Sequence, residues 1–220
     1  MTEVQAHGNV FEDLIIKNIT GVSKQDYQKL INEGYTSSLD IHKDVLSLFN
    51  GSVKSTGGNG IGCGDIMRFM QHCRETEFKF IVASYKQKER RKILLSVYEF
   101  QFVPEKYKII FGDLTKEIIE PFVSYVKSIP YGKEHQLLNK KLWREKREEI
   151  LCKYNTGLIS INPKIDSKAQ RRVQCSLHLS ELLQSDIEYN FYDKSYYQIN
   201  FPYEIDSEQR TFKKARSILH

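Results

Sequence analysis

Asn50-Gly51-Ser52-Val53-Lys54-Ser55-Thr56-Gly57-Gly58 combines a strand-like alternation with a lysine and a glycine-rich end. Side chains that alternate with a period of two are typical of a β-strand, so Ser52 and Lys54 are expected on the same strand face. Asp40 precedes this stretch and Asp65 follows it. The order along the chain allows both carboxylates to fold towards the lysine.

The composition is that of a packed protein with a basic surface. The chain has 220 residues, of which 40% are hydrophobic and 28% are charged, so it can bury a core and is not expected to be disordered. We expect a single domain over residues 1–220. The formal charge of +5 suits a polyanionic partner without identifying one.

Four widely spaced cysteines lack the C-x-x-C pairs that zinc sites use, and reduced thiols are expected instead. The N-terminus shows no signal peptide, and no apolar run reaches the ~18 residues of a membrane span. These features predict a cytoplasmic protein without a membrane partner.

Hydrophobic periodicity predicts both helices and strands. Apolar residues recur at helical spacing over residues 9–19, 23–34, 65–73, 115–128 and 134–154. Strand-like patterns occupy residues 37–42, 45–49, 52–54, 78–85, 92–100, 107–111, 158–162 and 172–179. The glycines of residues 57–64 predict a flexible loop, and charged residues 86–91 predict a hairpin turn. We therefore expect an α/β or α+β fold with one central mixed β-sheet flanked by helices.

Asp40, Lys54 and Asp65 together suit the hydrolysis of a phosphodiester bond. This reaction uses a divalent cation to polarise the phosphate and activate water, and Mg²⁺ is usually held by one or two carboxylates. A lysine beside the metal assists the attacking water or stabilises the charge that develops on phosphate oxygens.

The ordered set of residues resembles the PD-(D/E)xK nuclease superfamily of type II restriction endonucleases. The resemblance covers about residues 7–102 and is carried by His7-Gly8-Asn9-Val10-Phe11-Glu12, Asp40 and Ser52-Val53-Lys54. In that family a Glu-bearing helix leads to a strand with Asp and then to a strand with (D/E)-x-K. The resemblance implies a restriction-endonuclease-like catalytic core over about residues 7–112 and a helical, DNA-recognising elaboration over about 113–220.

The sequence departs from the family pattern in three ways. Leu39 stands where the family has Pro, and Ser52 stands at the acidic position of (D/E)-x-K. The spacing to Ser52 also leaves Asp44 as an alternative to Asp40. Some restriction enzymes with S-x-K take the missing acid from a following helix, and Asp65, eleven residues after Lys54, fits that description.

The resemblance implies a role for each residue. Asp40 and Asp65 would bind Mg²⁺, Lys54 would assist the attacking water, and Ser52 would form a nearby hydrogen bond. Glu12 would adjust the site without binding the metal. The implied enzyme is a sequence-specific, Mg²⁺-dependent endonuclease of double-stranded DNA that acts as a homodimer on palindromic sites.

A basic segment before the last predicted strand is the expected DNA-reading element. Arg and Gln side chains pair with guanine and adenine edges, and Lys more often meets phosphate. The residues expected to contact DNA are Lys164, Lys168, Gln170, Arg171, Arg172 and Gln174. The turn at residues 86–91 is a second, weaker candidate for phosphate contact.

Two other function classes fit the same residues. One is a structure-specific or homing nuclease with the same core. The other is a non-catalytic DNA-binding protein, in which Lys54 ends a solvated strand, Asp40 is a surface charge and Asp65 only caps a helix.

Overall fold

The computed structural model describes residues 3–31, 39–88, 91–130, 135–165 and 171–193. The helices of this part of the chain are α1 (Glu3–Thr20), α2 (Lys24–Leu30), α3 (Ile66–Glu75), α4 (Tyr107–Phe111), α5 (Lys116–Ser128), α6 (Gln136–Lys153) and α7 (Leu179–Gln184). The strands are β1 (Gly51–Thr56), β2 (Gly60–Asp65), β3 (Phe78–Lys88), β4 (Arg91–Phe102), β5 (Ser160–Ile165), β6 (Arg171–His178) and β7 (Tyr189–Asp193).

The strands form two sheets. A four-stranded mixed sheet has the order β1-β3-β4-β7, in which β1 runs parallel to β3 and the other pairs are antiparallel. A three-stranded antiparallel sheet has the order β2-β6-β5. The expected α+β class with a central mixed sheet is confirmed, and the second sheet was not predicted.

Two hydrophobic clusters cover the four-stranded sheet. Phe11 and Ile15 of α1 pack with Val53, Ile81 and Val97 on one side. The larger cluster joins strands of both sheets to α3 and α5, including Phe69, Phe80, Phe100, Phe122, Val173 and Leu177. Because β3 alternates between the two clusters, residues 80–83 are all buried, as expected for a strand covered on both faces.

Most of the predicted elements are confirmed. The helices expected over residues 9–19, 23–34, 65–73, 115–128 and 134–154 correspond to α1, α2, α3, α5 and α6. The strands expected at 52–54, 78–85, 92–100, 158–162 and 172–179 correspond to β1, β3, β4, β5 and β6. Part of the strand expected at 37–42 lies outside the described residues, and Ile41 makes an isolated β-bridge with Gly51.

The prediction of a glycine loop over residues 57–64 is wrong for the second half of that segment. Residues 60–65 form β2, which pairs with β6 from a distant part of the chain. The loop is reduced to residues 57–59, where the Thr56 hydroxyl donates to the carbonyl oxygens of Gly58 and Gly60. Non-local pairing supplies the hydrogen bonds of a strand that its own residues do not favour.

Two further strand predictions are wrong. Residues 107–111 form helix α4, which follows a 3-10 turn at Pro104–Lys106 and ends at Gly112. Gly112 has a φ of 57°, and an added Cβ would lie 2.4 Å from the Asn155 carbonyl oxygen, so only glycine fits this helix end. Residues 45–49 are irregular because Asp44 and Leu46 adopt positive φ values, which interrupts an extended strand.

The end of the described chain contains elements that the sequence did not predict. Strand β6 ends at His178, and α7 follows without a gap. Strand β7 then forms the edge of the four-stranded sheet, where Phe191 packs near Tyr98 with ring centroids 5.4 Å apart.

All four cysteines are free thiols, and Cys63, Cys73 and Cys175 are buried. Within the described ranges, no helix combines the length and apolar character needed to cross a membrane.

Candidate active site at the edge of strand β1

Asp40 lies against the edge of β1 opposite the one that pairs with β3, next to the β-bridge between Ile41 and Gly51. Its Oδ2 atom accepts a hydrogen bond from the Val53 backbone N–H at 2.8 Å and from the Lys54 ammonium at 3.2 Å. The Ser52 hydroxyl donates to the same oxygen at 3.4 Å. The structure therefore brings the S-x-K triplet and the preceding Asp together.

Backbone hydrogen bonds fix the segment that carries Asp40. The N–H groups of Asp40 and Ile41 both donate to the Gly51 carbonyl oxygen, at 2.8 and 2.9 Å. The Gly51 N–H donates to the Ile41 carbonyl oxygen at 2.8 Å. An added Cβ at Gly51 would lie 3.3 Å from Ile41, so glycine allows this close approach.

Lys54 is a largely buried cation held by an acid. Its ammonium also donates to the Val53 carbonyl oxygen at 3.1 Å, and its side chain is 24% exposed. Burial opposes its charge, but the nearby carboxylates of Asp40 and Glu12 outweigh burial and raise the pKa of Lys54. Burial would also raise the pKa of Asp40, but the positive charges of Lys54 and Lys24 outweigh it and lower that pKa. The two groups are thus held as an ion pair.

Glu12 reaches the same site from α1. Burial and the neighbouring Asp40 carboxylate raise the pKa of Glu12, although Lys24 and Lys54 act against them. The Lys24 ammonium contacts Glu12 directly. The structure therefore brings Glu12, Asp40 and Lys54 within electrostatic range of one another.

His72 of α3 lies within electrostatic range of Lys54 but does not add a charge to the site. Burial, with smaller effects from His42 and Lys54, lowers the pKa of His72 to about 4. The imidazole is therefore neutral at neutral pH.

Asp65 lies at the start of α3, as predicted, and its side chain caps that helix. Its carboxylate accepts a hydrogen bond from the Arg68 backbone N–H at 3.2 Å. Asp65 also lines a groove between α3 and α5 together with Arg74, Lys116 and Lys127. Its predicted role as a metal ligand stays a prediction.

Asp44 occupies a turn rather than a strand. It is exposed, and its backbone N–H donates to the Ser47 carbonyl oxygen at 2.9 Å. Of the two acids, Asp40 is the one that contacts the S-x-K triplet, since it accepts three hydrogen bonds from β1 residues.

The acids suit a metal site only in part. In the portion of the chain that the structure describes, no three His, Cys, Asp or Glu side chains are grouped to hold a metal ion. Asp40 and Glu12 nevertheless match the one or two carboxylates that usually hold Mg²⁺, whose other ligands are water and substrate phosphate.

Four of the six predicted DNA-reading residues lie on the three-stranded sheet. Arg171, Arg172 and Gln174 belong to β6, and Lys164 on β5 is paired with Arg172 in the strand register. Arg172 is exposed, and Gln174 is partly exposed. Lys168 and Gln170 lie outside the described residues. Of the weaker candidate segment, Lys86 is exposed on β3, and residues 89–90 lie outside the described residues.

On the outer side of this sheet, strand β2 carries two glycines. Gly60 and Gly62 are exposed and alternate with buried Ile61 and Cys63. Neither exposed glycine has a left-handed φ, and an added Cβ would meet nothing within 4 Å. Neither packing nor backbone conformation thus requires glycine at these two strand positions, where it is normally unfavourable.

Sequence reasoning missed two residues of α2 that support the site. The Tyr27 hydroxyl accepts from the His42 N–H at 2.8 Å and donates to the Val45 carbonyl oxygen at 2.9 Å, which anchors the segment after Asp40. The Lys24 contact with Glu12 was also missed. A lysine in the first turn of a short helix is usually solvated, so nothing in the sequence indicated that Lys24 contacts Glu12.

No protein-family model, curated protein or solved structure matches this chain. Its functional interpretation therefore rests on the arrangement of its own residues.

Proposed function

We propose that this protein is a Mg²⁺-dependent endonuclease that hydrolyses double-stranded DNA at the edge of β1 that carries Asp40. The observation that supports this proposal most strongly is the Asp40 carboxylate against Lys54 and Ser52, with Glu12 beside them. Carboxylates and a lysine in one partly buried site are the groups that phosphodiester hydrolysis needs.

Each residue has a defined task in this proposal. Asp40 and Glu12 would hold Mg²⁺, which, when bound, lowers the pKa of water and polarises the phosphate. Lys54 would orient the attacking water and stabilise negative charge on the phosphate oxygens. Ser52 would hold the Asp40 carboxylate through its hydroxyl. Glu12 is preferred to Asp65 as the second carboxylate, since Glu12 interacts electrostatically with both Asp40 and Lys54, whereas the Asp65 carboxylate caps α3.

The outer side of the three-stranded sheet would bind the DNA. Arg172 and Lys164 supply positive charge for phosphates, and Gln174 supplies an amide for a base edge. The exposed glycines of β2 support this proposal, because a strand face without side chains lets another backbone approach closely. Recognition of a palindromic site would need two copies of the chain, so we propose a homodimer.

A non-catalytic DNA-binding protein is the second candidate function. It is favoured by one observation, namely that no three-residue metal-ligating group occurs among the described residues. A structure-specific or homing nuclease would share the proposed site and would differ in its DNA substrate.

Incubation with supercoiled plasmid DNA and MgCl₂ tests the proposal. The wild-type chain should cut the plasmid, and Lys54→Ala should lose at least about a hundredfold in rate, the size of effect seen when one charge-stabilising donor is removed. Lys79→Ala is the matched control, because Lys79 is also a partly buried strand lysine, paired with Glu99 at 3.0 Å. Cleavage by Lys54→Ala at the wild-type rate would refute the assignment. Binding without Mg²⁺-dependent cleavage by the wild type would favour the second candidate.

A further inference from the structure

Lys24 joins α2 to the proposed active site through both its backbone and its side chain. The backbone N–H donates to Asp13 Oδ1 at 2.7 Å, and the ammonium contacts the Glu12 carboxylate. The side chains of Lys24 and Glu12 are 20% and 16% exposed, so water screens this contact only in part. The pair is therefore more than a surface ion pair.

Charges of opposite sign alternate in the site. Glu12 is paired with Lys24, and Asp40 is paired with Lys54. Lys24 also acts on Asp40, since its positive charge helps to lower the pKa of that carboxyl. His72 is neutral, so in these two ion pairs two carboxylates are balanced by two ammonium groups, while the Asp13 carboxylate lies on the backbone side of Lys24.

This balance opposes the binding of a divalent cation. A cation is attracted by the two carboxylates and repelled by each ammonium, and these forces are strong where the site is partly dry. An ammonium in contact with Glu12 also covers an oxygen that a metal ion would use.

We propose that Lys24 is the resting-state counter-ion of Glu12 and that it must leave this carboxylate before a divalent cation binds there. The inference rests on the proposed function, because it takes Glu12 and Asp40 as the metal-binding carboxylates. Lys24 thereby keeps the affinity of the free protein for metal low.

The structure assigns this role to Lys24 rather than to Lys54. Lys54 extends from β1 within a sheet and donates to two acceptors, Asp40 and the Val53 carbonyl oxygen. Lys24 is the first residue of a helix of seven residues, and among the described residues its ammonium contacts only Glu12. Lys24 can rotate away from Glu12 while its backbone stays bonded to Asp13.

Calorimetric titration with MnCl₂, without DNA, tests this inference. Lys24→Met should bind Mn²⁺ about tenfold or more tightly than the wild type, because one repelling charge is removed. Lys24→Arg keeps the charge and should keep the low affinity. Lys29→Met is the matched control, since Lys29 lies on the same helix but is 67% exposed and pairs with Asp26.

The gain in affinity must also depend on Glu12. The double variant Lys24→Met/Glu12→Gln should lose the gain, and a gain that persists there would overturn the inference. Equal or weaker Mn²⁺ binding by Lys24→Met would overturn it too, and would make Lys24 a residue that positions Glu12. If Lys24→Met does not fold, as judged by its thermal unfolding, Lys24→Gln carries the same prediction.

The outcomes separate this inference from the proposed function. Metal-dependent cleavage with equal Mn²⁺ affinities of wild type and Lys24→Met would refute the inference alone. Absence of cleavage and of Mn²⁺ binding by the wild type, even with DNA present, would refute the proposed function.

Discussion

The Asp40 carboxylate lies 3.2 Å from the Lys54 ammonium, although the two residues are fourteen positions apart in the chain. Strand β1 makes this contact possible, because the Val53 N–H on the edge away from β3 donates to the same carboxylate oxygen at 2.8 Å. An acid and a lysine are thus fixed together at the edge of a buried sheet.

Substitution of Asp65 separates a helix cap from a metal ligand. Asn caps a helix about as well as Asp, so Asp65→Asn should retain stability and, in our proposal, Mg²⁺-dependent cleavage. Asp65→Ala should lose about 1 kcal/mol of unfolding free energy with the cap. Plasmid cleavage and urea unfolding measure both effects. A large loss of cleavage in a stable Asp65→Asn variant would restore Asp65 as a metal ligand.

Asp40 and Glu12 should contribute to stability with opposite pH dependence. Lys54 holds the pKa of Asp40 below its ordinary value of 3.8 against the effect of burial, so its contribution is present above that pH and lost in stronger acid. Burial raises the pKa of Glu12 above 4.5, so its contribution is complete below pH 4.5 and lost as pH rises through the folded-state pKa.

Urea unfolding between pH 7 and pH 3 measures this difference. Relative to Asp40→Asn, the wild type should lose stability at the acid end of the range. Relative to Glu12→Gln, it should gain stability as pH falls from 7. The assignment of the two acids would be contradicted if, as pH falls, the unfolding free energy of the wild type changed in the same direction relative to both variants.

A side chain at Gly62 should weaken DNA binding without weakening the fold. Gly62→Val adds a β-branched residue at an exposed strand position with open space, where glycine costs about 0.5–1 kcal/mol relative to Ala. We expect equal or higher stability and about tenfold lower affinity for duplex DNA, equivalent to about 1.4 kcal/mol. Fluorescence anisotropy in CaCl₂ measures the affinity without cleavage.

Gly112→Val provides the contrast for that experiment. Gly112 has a left-handed φ and closely approaches Asn155, so its variant should lose stability instead. Unchanged DNA affinity of a folded Gly62→Val would exclude the outer side of β2 from the DNA-binding surface.

Loss of the Tyr27 hydroxyl should reduce the rate of DNA cleavage, because this hydroxyl holds the segment that carries Asp40 in place. Tyr27→Phe leaves the His42 N–H and the Val45 carbonyl oxygen without this partner, which costs about 1–3 kcal/mol for a buried group. Tyr107→Phe is the matched control. The Tyr107 hydroxyl donates a hydrogen bond of 2.9 Å to the Leu114 carbonyl oxygen, and this bond lies away from the proposed active site. At comparable stability, Tyr27→Phe should cleave more slowly than Tyr107→Phe, and equal cleavage rates would contradict a positioning role.

The sequence by itself determined the local features of this protein. Alternation of side chains identified β1 and placed Ser52 and Lys54 together, and the acid before an apolar helical stretch identified Asp65 as the start of α3. The same patterns predicted the long strands β3 and β4 and the helices α1, α5 and α6. These features follow from contacts between residues close in the chain, which periodicity and capping describe directly.

Tertiary structure decided which of these features meet. Residues 60–65 became a strand because β6, more than a hundred residues later, supplies their hydrogen bonds. Glu12 was brought to Asp40 by the packing of α1 against β1, and Lys24 to Glu12 by the packing of α2 against α1. Such contacts depend on the direction in which whole elements pack, and no local pattern records that direction. Ser52-Val53-Lys54 could therefore be located from the sequence, whereas its acidic partners could be chosen only from the fold.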